Sequence, residues 1–297
     1  MGIILGLGAA LCWGAADFLA RSLTQVIGTY RTLFFMQFIG ALVLSIYVLS
    51  SGEAARLAHH TTWQPWLWAV LVAMMNAFCA LALYRSFEVG VLSIVSPVAA
   101  SSSALTVVLS FLSGETISRA RAFGIGAALL GVVLAATHFS SVSQNDTPGM
   151  PGQTRRKSKL TRGVGWAMVA SVTYGINFWL LGFFVTPYLG GSAHIWIIRL
   201  GTIATLALVA APARQSIRPP RGRIWVLILA VGTLDTCAYL LANFGFTTEQ
   251  VAVVSVLASL FSAVTVLLAW LFLHDKLQWS QWLGIGIIFI GIALVKL

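Results

Sequence analysis

Asp17, Asp235 and Arg199 lie inside otherwise apolar stretches of the chain. Ionised groups are costly away from water, and in membranes they mark pathways, coupling sites or buried pairs. Asp17 and Asp235 are candidates for coupling, with hydrogen bonding between helices as the alternative. Arg199 is a candidate either for clamping a substrate carboxylate or for neutralising a buried acid. The same stretches carry Trp13, Asn76, Tyr84, Ser101, Tyr174, Asn177, Trp179, Tyr239 and Asn243. Aromatic walls with a few amide and hydroxyl groups suit an amphipathic small molecule whose flat apolar part is buried and whose polar end is fixed. An aromatic amino acid has that form, although each ring taken singly also reads as packing. Pro97 precedes Ser101-Ser102-Ser103 and removes a backbone hydrogen bond, which makes it a candidate gating bend or a static kink. The serines could line a cavity or bond back to their own helix.

Other chemistries lack their residues. His59, His60, His138, His194 and His274 show no HExxH spacing, and no glycine-rich loop followed by Lys could cradle a phosphate. Neither catalytic residues, a cofactor nor a metal is expected, and the chain carries no ATP motif for a pump. Cys12, Cys79 and Cys237 sit in apolar runs without ligand spacing and read as packing residues.

These residues need elements that hold them at membrane depth. Of the 297 residues 59% are hydrophobic and 9% charged, far below the roughly 25% charge of soluble domains, so the chain reads as an integral membrane protein. Ten apolar runs approach the roughly 20 residues that span a bilayer: 3–22, 30–50, 66–86, 91–112, 119–138, 162–184, 192–211, 223–245, 250–273 and 279–296. Their continuity predicts helices, since barrel strands alternate apolar and polar. The first run has no preceding Lys or Arg and no small-residue cleavage site, so residues from Met1 onward are expected to remain. Trp63, Trp66, Trp68, Trp166, Trp225, Trp279 and Trp282 stand near predicted span ends, where indole rings anchor at the interface.

An internal repeat organises the runs. Gly124, Gly126 and Gly131 recur as Gly284, Gly286 and Gly291. The shift of 160 positions (284 − 124) also sets Glu115 on Asp275, Ser102 on Ser262 and Val91 on Val251 when applied without a gap. Residues 1–139 and 162–297 then form two five-helix halves joined by a hydrophilic linker, 140–161. Five is odd, so the second half must enter the membrane inverted. Inverted repeats enclose midplane sites in secondary transporters. The fold class expected is therefore an all-α integral membrane protein of ten transmembrane helices, in two inverted repeats around a central cavity. Excluding Arg199, 13 Lys and Arg residues fall in loops on the linker side and four on the other. The positive-inside rule puts the linker in the cytoplasm and both termini outside. The net charge of +10 is then accounted for by topology and anionic lipid, and no nucleic-acid partner is expected.

The segment LGLGAALCWGAADF (Leu5 to Phe18), the ALYRSFEVGVLSIVSPV run that carries Pro97, the Gly114-Glu115 pair and the GIGAALLG motif resemble the EamA family of the drug/metabolite transporter superfamily. Tyr174-Gly175 stands where Trp13-Gly14 would be in the second half, and Leu257 replaces the second-half counterpart of Pro97 under the constant shift. The resemblance covers essentially the whole chain. It implies ten helices in two inverted halves and alternating-access export of small polar metabolites across a bacterial inner membrane, with amino acids, aromatic ones included, as leading substrates. Carriage of nucleotide sugars, sugar phosphates or cationic drugs, or a non-transporting receptor, are the alternatives. The partners expected are a small-molecule substrate and the lipid bilayer. Proton coupling stays open, and a monomer is compatible with the sequence.

Overall fold

A computed structural model describes residues 1–52, 63–136, 163–190, 192–273 and 279–295. The linker, Asp275 and the basic residues Arg56, Arg155, Arg156, Lys157, Lys159, Arg162, Lys276 and Lys296 lie outside the described residues. Among the described residues all regular structure is helical. Apolar runs of this length must satisfy their backbone groups internally, and helices do so without an edge.

The first half of the chain supplies α1 (Gly2–Ile27), α2 (Thr29–Ser50), α3 (Gln64–Val89), α4 (Leu92–Ala100), α5 (Ser102–Leu112) and α6 (Arg119–Ala136). The second supplies α7 (Val164–Leu180), which runs through a π-helical turn at Leu181–Val185 into α8 (Thr186–Leu189). It continues with α9 (Ala193–Ala210), α10 (Ile224–Thr248), α11 (Val251–Ser259), α12 (Phe261–Leu273) and α13 (Trp279–Val295). Among the described residues seven segments are long and apolar enough to cross a bilayer, including α4–α5 and α11–α12 taken as broken pairs. The helices α6, α9 and α13 occupy the stretches where three further spans are expected.

Both broken pairs interrupt at corresponding places. Ser101 separates α4 from α5, and Leu260 separates α11 from α12. A tighter turn follows each interruption: Ala104 N bonds Ser101 O and Ala263 N bonds Leu260 O, both at 3.0 Å. Only the first pair contains a proline. An interruption thus forms at the corresponding place in the second half without a proline. The helix starts also revise the constant shift. Leu92 and Val251 are 251 − 92 = 159 positions apart, whereas Arg119 and Trp279 are 279 − 119 = 160 apart. One residue is gained between the start of α12 and the start of α13 (279 − 261 = 18) relative to the first half (119 − 102 = 17). Ser102 thus corresponds to Phe261, and Pro97 to Val256.

Close helix approach follows from small residues, as expected in lipid, where no hydrophobic drive separates helix from hydrocarbon. Thr106 Oγ1 donates to Gly175 O at 3.0 Å, and Thr265 Oγ1 donates to Gly14 O at 3.2 Å. A Cβ at Gly14 would lie 2.9 Å from Phe261 O, and one at Gly175 2.8 Å from Ser102 O. Each glycine therefore lets the backbone of α1 or α7 rest on the start of a half-helix.

The loop after α5 turns through Gly114, whose φ of +91° favours glycine. That turn sends Glu115 across to α11, where its carboxylate accepts Val251 N–H at 2.7 Å and Ala252 N–H at 3.1 Å. The contact satisfies two orphan donors and sets negative charge against a helix N-terminus. Glu115→Ala should lower stability by about 1 kcal/mol, in the range for lost caps. The check is the midpoint of unfolding in detergent against Glu115→Gln, which retains an acceptor oxygen. Equal midpoints for all three proteins would refute the capping role.

Candidate functional site

The helical period places Trp13 and Asp17 on one face of α1 and Asp235, Tyr239, Ala242 and Phe246 on one face of α10. These faces meet the two helix breaks, α3 and α7 around a cavity whose empty space, open solvent included, is about 680 Å³. Both interruptions contribute walls: Ala99, Ser102 and Ser103 from the first, and Ser255, Ser259 and Phe261 from the second.

One wall is aromatic. Trp13 packs edge-on against Tyr239 with ring centres 5.2 Å apart, and against Phe178 at 5.6 Å. Tyr174 stacks on Phe178 at 5.8 Å with ring planes 21° apart. Tyr84 closes the α3 side.

Behind that wall the polar groups are tied to one another. Trp13 Nε1 donates to Asp235 Oδ1 at 3.1 Å, and Arg199 Nη2 lies 2.6 Å from Asp235 Oδ2. Arg199 also donates through Nη1 to Gln37 Oε1. Its guanidinium carbon lies 4.8 Å from the centre of the Tyr239 ring. The arginine is 1% exposed and does not line the cavity. Room for it comes from Gly40 on α2, where a Cβ would stand 3.4 Å from Arg199 Nε. Arg199 is thus held in an ion pair with a buried acid.

The amides hold the wall in place. Tyr239 O–H donates to Asn76 Oδ1 at 2.7 Å, and Asn76 Nδ2 donates to Thr202 Oγ1 at 3.2 Å. Asn243 donates through Nδ2 to Tyr239 O at 2.9 Å and accepts from Thr186 Oγ1 at 2.9 Å. Asn243 Oδ1 also lies 2.9 Å from His194 Nε2. Neither amide reaches the cavity surface.

The remaining sequence candidates stand elsewhere. Asn177 Nδ2 donates to Val72 O at 3.0 Å and ties α7 to α3. Trp179 Nε1 donates to Ser113 Oγ at 2.8 Å near the end of α5. Ser101 bonds back to Val98 O at 2.7 Å and meets Ser171 Oγ at 2.9 Å. Pro97 is buried within α4. Trp13, Asp17, Tyr84, Tyr174, Asp235 and Tyr239 are brought together around the cavity.

The two carboxylates differ. Both oxygens of Asp235 have partners, Trp13 and Arg199. Asp17 is 5% exposed, lines the cavity and makes no hydrogen bond or ion pair among the described residues.

The profile of the EamA-like transporter family matches residues 1–137 and again 161–297. The chain belongs to this family. The EamA-like chain is therefore a multi-pass membrane protein of a transporter family, and its cavity lies among membrane-spanning helices. A curated relative from Streptantibioticus cattleyicolor, named "Probable terminal-alkyne amino-acid exporter", is 31% identical over 139 residues. That match covers 46% of the EamA-like chain and 46% of the relative, so the chain spans just under half the length of this curated relative. A solved crystal structure superposes with a TM-score of 0.70 at 18% identity over 99% of this chain and 95% of that one. That likeness speaks to the fold.

Phe178, Ser255 and Ser259 line the cavity without having been candidates, whereas Ser102 and Ser103 belong to the serine run read as a candidate lining. A signal existed for Phe178, four residues after Tyr174 and hence on the same face of α7. For Ser255 and Ser259 the signal was hidden by the unbroken apolar reading of 250–273.

Proposed function

We propose that this chain exports small metabolites by alternating access, with amino acids, aromatic ones included, as leading substrates. One observation carries the reading: an aromatic-walled cavity at the meeting point of two interrupted helices. Interrupted membrane helices are where transporter folds place substrate sites. The exporter name of the relative supports the same substrate class.

Ten spans in two inverted halves, 1–139 and 162–297, form the frame of the proposal. It is supported by the two family matches, by the corresponding breaks at Ser101 and Leu260, and by the corresponding Thr106–Gly175 and Thr265–Gly14 contacts. The charge count adds a cytoplasmic linker and periplasmic termini in a bacterial inner membrane. A monomer is compatible with this scheme. Alternation is proposed to move α4–α5 and α11–α12 about their breaks, with Pro97 softening the first.

The test is counterflow in proteoliposomes preloaded with unlabelled amino acid. Saturable accumulation of labelled Phe, Tyr or Trp is expected. No counterflow with any amino acid would sink the substrate assignment, and flux that never saturates would point to a channel.

A further inference from the structure

We propose that Asp17 is the recognition site for a cationic amino group, so that the cavity selects aromatic amines and has no fixed partner for a substrate carboxylate. This deepens the proposed export function and rests on the cavity being the substrate site. The argument begins with charge. Asp235 is paired with Arg199 at 2.6 Å, which leaves Asp17 as the carboxyl group on the cavity wall with no cationic partner among the described residues. An ionised carboxylate without a partner in a water-poor site is costly. A bound ammonium supplies the missing counter-charge through charge-assisted hydrogen bonds.

The surroundings fit the same ligand. The rings of Trp13, Tyr84 and Tyr174 line the cavity, and aromatic rings attract organic cations through their quadrupoles. Ser255 Oγ is buried, lines the cavity and has no hydrogen-bond partner among the described residues, so it offers an acceptor to an ammonium N–H. Among the described residues that line the cavity none is a cation. Arg199 is engaged by Asp235 and Gln37 and is not one of the lining residues. A substrate carboxylate would lose water there without gaining a cation. The geometry thus ranks ligands by their amine and ring, and predicts that the carboxylate of an amino acid is dispensable.

The experiment measures equilibrium binding of labelled tryptamine to the purified full chain in detergent, with tryptophan and indole-3-propionate as competitors. Tryptamine should bind tightest, tryptophan about tenfold or more weaker, and indole-3-propionate should fail to compete, since one lost charged hydrogen bond of ≈ 1.5–3 kcal/mol corresponds to about tenfold or more. Asp17→Asn should weaken tryptamine by a similar factor, with its unfolding midpoint measured alongside; Asp17→Glu should retain part of the affinity. The ligand series on the unmodified protein stands even if a variant fails to fold. Indole-3-propionate competing as well as tryptamine, or tryptamine failing to bind, would overturn the proposal. In liposomes the two readings separate. Amino-acid counterflow untouched by tryptamine sinks the amine site and leaves export of amino acids. Tryptamine exchange without amino-acid exchange supports the amine site and removes the amino-acid assignment.

Discussion

Arg199→Met is expected to destabilise the folded protein by about 3–5 kcal/mol, the range for stranding one member of a buried ion pair. The arginine is 1% exposed, and its removal leaves Asp235 Oδ2 with no counter-charge and Gln37 Oε1 with no donor. The size of the effect comes from the stranded charge rather than from the attraction lost, which desolvation largely offsets in such pairs. That distinction is testable. Adding Asp235→Asn to Arg199→Met should recover most of the loss, because an Asn oxygen can still accept from Trp13 Nε1 while no ion is left buried. Asp235→Asn alone should cost less than Arg199→Met alone, since Arg199 keeps Gln37 and the Tyr239 ring face. Reversible denaturation in mixed micelles, read by tryptophan fluorescence, orders the four proteins. If the double variant were as unstable as the sum of the singles, the two side chains would not be coupled, and the pair would not be what holds α9 to α10.

The sequence made the candidate site legible where a polar or aromatic residue stood out from an apolar run, and blind where it did not. Asp17, Asp235, Trp13, Tyr174 and Tyr239 were conspicuous, and the fold gathers them. Asn177 and Trp179 were equally conspicuous, yet the 100° step of the helix turns Phe178 toward Tyr174 and swings Trp179 to the far side of α7. Gln37, which completes the partners of Arg199, carries no pattern of its own within α2. The interruption at Leu260 was invisible because no proline or glycine marks it. The repeat was legible through glycines, which tolerate little change where backbones touch. Its one-residue slip was not, because the gapless match between α6 and α13 was extended back unchanged over α4–α5 and α11–α12. The positions of the breaks, set by tertiary contact with Gly14 and Gly175, became readable only once the helices were placed.

The same glycines define the second large effect. The helices α6 and α13 form the most extensive helix pair in the molecule, and they touch through backbone. A Cβ at Gly131 would stand 2.7 Å from Gly284 O and 2.9 Å from Ile288 N; one at Gly291 would stand 2.6 Å from Ala128 N and 2.8 Å from Gly124 O. The obstructing atoms are main chain and cannot rotate away, so the two helices must separate along their length to admit a methyl group. Gly131→Val should therefore cost about 1–3 kcal/mol or more, at the upper end for overpacking. Gly131→Ala should fall below it, offset in part by the better helix propensity of alanine. Gly126 on the same helix is the control, because nothing lies within 4 Å of its would-be Cβ; Gly126→Ala should be neutral or slightly stabilising. The contrast separates contact from propensity, since both glycines sit in the interior of one helix. If Gly126→Ala and Gly131→Ala shifted the unfolding midpoint alike, the close approach of α6 and α13 would not be what these glycines are for. If only Gly131 and Gly291 are sensitive, that recurring pair marks where two helix backbones meet, while Gly126 and Gly286 recur without such a contact.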